Sequence, residues 1–97
     1  LLLERVLYDY KRDNIMLGPH GSVAAFDETF SFRARAHNTR GIPVKLEAEQ
    51  VFPAGFKLDE STAPMETVDK DVLRFYLNLA PGEEKSVTYI VTVHHGN

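Results

Sequence analysis

Apolar and polar residues alternate with a period of two along most of this chain. Phe30, Phe32, Ala34 and Ala36 alternate with Ser31, Arg33, Arg35 and His37. Val44, Leu46 and Ala48 alternate with Lys45, Glu47 and Glu49. Leu73, Phe75, Leu77 and Leu79 interleave with Arg74, Tyr76 and Asn78, and Val87, Tyr89, Val91 and Val93 with Thr88, Ile90 and Thr92. Successive side chains of a strand point to opposite faces, so each run predicts a strand with one face on a core. Arg5–Tyr10 and Asn14–Leu17 predict weaker strands, and Phe56–Asp59 a short edge piece. No segment holds a 3.6-residue apolar period for three turns, and Asp59–Lys70, broken by Pro64, reads as a loop.

Turn chemistry falls between these runs. Asn38-Thr39-Arg40-Gly41-Ile42-Pro43 separates the first two strong strands. Pro53-Ala54-Gly55 ends the second, and Ala80-Pro81-Gly82 carries type II turn residues. Strands of this spacing, each with a single apolar face, predict an all-β sandwich of two antiparallel sheets with six to seven strands. The expected core comprises Phe30, Phe32, Leu46, Phe75, Leu77, Val87, Tyr89 and Val91. Two connections from Ala36 to Val44 satisfy the alternation equally: a hairpin within one sheet, or an arch from one sheet to the other.

The Phe30–Arg40 run with its Asn38-Thr39 corner, then Ile42–Leu46, Val51–Gly55, Leu73–Leu79, Ala80–Glu84 and Val87–Val93, resembles immunoglobulin-like or fibronectin-like sandwich domains of bacterial and archaeal multidomain proteins. It is most similar to the C-terminal sandwich of a mucoidy-inhibitor-associated family. The resemblance covers residues 26–93 and differs in placing Arg40 before Gly41. It implies an arch at Asn38–Pro43 and no catalytic residue.

Composition narrows the picture. The chain of 97 residues supports a single core and carries a net charge of −3. A pI near 5.8 is not that of a nucleic-acid binder. Without cysteine there is neither a disulfide framework nor a thiolate metal site or nucleophile. No apolar run approaches the roughly 20 residues of a membrane-spanning helix, so no membrane insertion is expected. Opening on Leu1-Leu2-Leu3 without Met and closing at His94-His95-Gly96-Asn97, the sequence reads as one β-sandwich domain, residues 1–97, of a larger protein.

Candidate chemistry is sparse. His94 and His95 are adjacent and project to opposite faces of a strand, so they do not chelate together and are expected as exposed strand-end residues. Asp69 and Asp71 lack the rest of a calcium loop. Gly18-Pro19-His20-Gly21 is no phosphate loop, the serines have no nucleophile elbow, and no cofactor is expected. Tyr76, Ile90 and Val72 break the polar outer phase and predict an apolar docking patch if their strands adjoin, the alternative being cover by the N-terminal segment or the Asp59–Lys70 loop. Arg33 and Arg35 form a secondary outer surface. The expected function is a non-catalytic structural or interaction module that docks neighbouring domains of its parent or another protein, with weak self-association. The alternative is a carbohydrate- or peptide-binding module using His20, Phe26, Asn38 and Arg40; a third reading is an accessory domain that completes an enzyme site.

Overall fold

The alternating runs become strands in the computed structural model, which describes residues 1–96. Seven strands follow in order: β1 (Leu2–Leu17), β2 (Val23–His37), β3 (Val44–Val51), β4 (Lys57–Ser61), β5 (Met65–Val68), β6 (Val72–Leu79) and β7 (Glu84–His95). They form two antiparallel sheets, one ordered β1-β2-β7-β4 and the other β3-β6-β5. The architecture is the expected all-β sandwich. Strands β1, β2 and β4 share one sheet, and β3 and β6 the other, as in the immunoglobulin constant layout. Strands β5 and β7 lie in the opposite sheets to their counterparts there.

The core fills the gap between the sheets. Phe32, Ala34 and Ala36 of β2, Leu73, Phe75, Leu77 and Leu79 of β6, and Val87, Tyr89, Val91 and Val93 of β7 are buried, with Phe30 and Leu46 half-buried at the margin. Tyr89 packs its ring 5.4 Å from Phe32 and 5.9 Å from Phe75, while its hydroxyl donates to Gln50 Oε1 at 2.7 Å. Burial pushes its phenol pKa up.

The link after His37 is the arch, because β2 and β3 lie in different sheets. Asn38, wholly buried, holds it. Its Nδ2 lies 2.8, 3.2 and 3.1 Å from the Ile42, Leu79 and Ala80 carbonyls, and its Oδ1 accepts from Arg40 N at 2.9 Å. Asn38 N also donates to Glu83 O, and Gly82 N to Asn38 O. One side chain thereby bonds backbone groups at both crossings between the sheets. The Pro81-Gly82 turn has the expected form: Glu83 N donates to Ala80 O, and Gly82 takes φ 76°.

Two local readings are corrected. Residues 2–17 form one continuous strand, because β2 templates the whole length of β1. The segment 59–70 is not simply a loop: it contains the end of β4 and all of β5, a four-residue edge strand that starts just after Pro64, where a missing N–H costs no ladder bond.

Candidate interaction surface

The proposed Tyr76–Ile90–Val72 patch does not assemble. Tyr76 and Val72 lie on β6 and Ile90 on β7, and the Ala80–Glu83 turn carries the chain between sheets, so their outward faces point to opposite sides of the sandwich. Tyr76 is exposed on the outer face of its sheet, with Lys45 Nζ 5.0 Å from its ring centre. Ile90 is half-buried in a shallow groove with Tyr8 and with residues Glu60, Ser61 and Thr62. The N-terminal strand and the 59–70 segment flank Ile90, but neither covers Tyr76.

The outer charges are mixed. Arg35 reaches Glu4 at 3.5 Å and Glu84 at 3.4 Å, and Arg33 shares a groove with Glu4, Val6, Glu84 and Ser86. On the other sheet Arg74 stands opposite both Glu49 and Glu66 in the register, bonding Glu49 at 2.6 Å and Glu47 at 3.1 Å. The hydrogen bond to Glu49 raises the Arg74 pKa. Arg33 and Arg35 therefore sit among carboxylates rather than forming a basic face.

The histidines do more than end a strand. Antiparallel pairing of β2 with β7 sets Phe26 opposite His95 and Asp27 opposite His94. His94 Nδ1 lies 2.6 Å from Asp27 Oδ1, and Asn14 Nδ2 donates to Asp27 Oδ2 at 2.8 Å. On the other face His95 Nε2 pairs with Glu28, whose second oxygen accepts from Tyr10 Oη at 2.5 Å. The His95 ring stacks on Phe26 with centroids 4.7 Å apart, and the Arg12 guanidinium lies 4.2 Å over the Phe26 ring. The bonds from Asn14 and His94 lower the Asp27 pKa; the Tyr10 hydroxyl, followed by His95, lowers that of Glu28. The Asp27-Glu28 and His94-His95 pairs were visible in the sequence, but their register was not. Among the described residues, no three ligating side chains converge on a metal site.

The residues of the alternative binding reading are dispersed. His20 lies in the turn joining β1 to β2, Phe26 near the start of β2, and Asn38 and Arg40 beyond the other end of that strand. The twelve residues separating Phe26 from Asn38 span about 40 Å at strand rise. Asn38 is spent on the arch.

The largest unsatisfied surface is β1, which the sequence offered only as weak strands. Fifteen of its sixteen residues are exposed, and of the fourteen exposed large apolar residues among the described residues, ten lie between Leu1 and Leu17. Pairing with β2 sets Leu3 opposite Ala36 and Leu7 opposite Phe32; an extra residue, Tyr8, then shifts the alternation so that Tyr10 meets Phe30. Leu3, Arg5, Leu7, Tyr10 and Arg12 thus share the core-side face, where Tyr10 and Phe30 rings lie 5.2 Å apart. Sheet β3-β6-β5 is too narrow to cover this face, although Arg5 Nη2 reaches across to donate to Glu49 O at 3.4 Å. Among the described residues, the opposite edge of β1 has no neighbouring strand. Such an edge presents main-chain donors and acceptors in a row, backed by apolar side chains: the requirements for adding a strand. Comparison with protein-family models, curated proteins and solved structures gives no match, so the geometry alone carries the functional reading.

Proposed function

We propose that this chain is a non-catalytic sandwich module of immunoglobulin-like kind, whose work is to dock other polypeptide through the free edge and core-side face of β1. The observation that carries this reading is the exposure of β1 along its length together with its apolar content. A monomeric surface seldom leaves so much contiguous apolar area open, and a long edge strand is normally blunted or covered. The other edge of the same sheet makes the contrast: β4 has five residues, shifts register between Leu58 and Glu60, and carries Lys57, Asp59 and Glu60. Pairing with β2 along its length pre-forms the edge, so an incoming strand bears most of the ordering entropy.

The test is fluorescence anisotropy with extended peptides of about ten residues and alternating apolar positions. Saturable binding that disappears when alternate peptide amides are N-methylated, and weakens in Leu7→Lys, is the expected result. Absence of saturable binding by all such peptides, measured on chain dilute enough to be monomeric, together with absence of self-association overturns the reading.

A further inference from the structure

We infer that the occupant of the β1 edge is a second copy of this chain, its β1 pairing antiparallel with the first across a two-fold axis. This rests on the docking reading above and adds the partner. The argument is self-complementarity. In such a pair, directly opposed residues must share a face, and the extra residue at Tyr8 decides which registers satisfy this. One face-matched register sets Glu4 against the second copy's Lys11 and Arg5 against its Tyr10, each pair occurring twice by symmetry. The first is an opposite-charge pair and the second a cation beside an aromatic ring. Sliding the strands two residues one way opposes Glu4 to Asp9. Sliding two the other way opposes Glu4 to Asp13 and Arg5 to Arg12. Charge therefore selects one register and penalises its neighbours.

The same register places the two Tyr8 bulges side by side at the symmetry axis, where neither interrupts the flanking pairs. It brings Leu3, Leu7 and Tyr10 of both copies onto one continuous face between the two smaller sheets. The monomer's own contacts at these positions are loose: Lys11–Asp13 at 3.4 Å and Glu4–Arg35 at 3.5 Å, all four side chains exposed. The Tyr10 amide, now donating to Asp9 Oδ1 at 2.9 Å, exchanges that local bond for a main-chain carbonyl of the second copy. The product is two four-stranded sheets joined into one, with β4, the blunted strand, at each end.

Sedimentation velocity of the full chain tests this. The wild type is expected to dimerise with rising concentration. Glu4→Lys alone and Lys11→Glu alone each set like charges together twice and weaken the dimer about ten-fold. Mixing the two variants restores association, because both cross-copy pairs are then of opposite charge while each monomer's internal defect remains. A chain that stays monomeric to about millimolar concentration, a dimer indifferent to both reversals, or a mixture no tighter than its components overturns the proposal. If the chain is monomeric yet binds the extended peptides, the second-copy inference falls and the docking reading stands; if neither occurs, both fall.

Discussion

The two ends of β2 belong to one continuous strand and meet different fates. From Phe32 to Asn38 its inward side chains are buried between the sheets, and the strand ends in an arch locked by Asn38. From Val23 to Phe30 most residues are exposed or half-buried, and the strand runs beside β1 as a ribbon. The cause is length: β3 and β6 have eight residues each, against fifteen in β2 and sixteen in β1. The smaller sheet covers only part of the larger one, and the molecule extends to 61 Å along its long axis. One end is held by packing. The other depends on ladder hydrogen bonds, the Tyr10–Phe30 contact and the two histidine–carboxylate pairs.

The contrast predicts unequal costs. Phe75→Ala, in the closed end, removes a wholly buried ring and is expected to cost about 3–5 kcal/mol in urea unfolding, whereas Met16→Ala on the ribbon, at an exposed side chain opposite Ala25, costs under about 1 kcal/mol. Comparable values at both sites would mean that the ribbon is packed as tightly as the core. Asn38→Ala leaves the Ile42, Leu79 and Ala80 carbonyls without their donor; a loss of about 2–4 kcal/mol is expected, with thermal melting as the readout. An unchanged melting temperature would show that the arch is held by its turns alone.

Acid should loosen the ribbon end before the core. The folded pKa values of Asp27 and Glu28 lie below their ordinary 3.8 and 4.5. Each therefore contributes stability that is present above those ordinary values and lost as pH falls through the lowered ones. Amide-exchange protection, corrected for the slower chemical exchange in acid and followed from neutral pH to about pH 3, should fall first near Tyr10, Asn14, Asp27 and His94, and Asp27→Asn with Glu28→Gln should flatten that dependence. An equal loss of protection across β6 would remove the distinction. The smallest effect is expected for Tyr76→Ser, within about 0.5 kcal/mol and without change in association, since the tyrosine is exposed on the outer face of the smaller sheet, which does not include β1.

How legible this was in the sequence varied with how local the cause was. The four strong strands, the Pro81-Gly82 turn and most of the core followed from alternation and turn chemistry, which act within a few residues. The candidate surface did not. Tyr76 and Ile90 form one patch only if their strands adjoin, and the short turn between those strands crosses between sheets. β1 looked weak because the extra residue at Tyr8 breaks its phase, and that break is defined only by the strand opposite. Asn38 was singled out as a corner, and for a binding role, but the three carbonyls it serves come from positions 42, 79 and 80.

By itself the sequence determined which face of each strand turns inward, because a period of two leaves each strong run only one apolar side. It also determined where the chain turns, because proline and glycine restrict or extend φ locally. Only the tertiary structure decided which strands share a sheet, which carboxylates meet His94 and His95, and which apolar face stays open. Those outcomes depend on strand lengths and register between segments far apart in the chain. Alternation marks a face as apolar; whether another layer reaches far enough to cover it is a property of the whole assembly of strands.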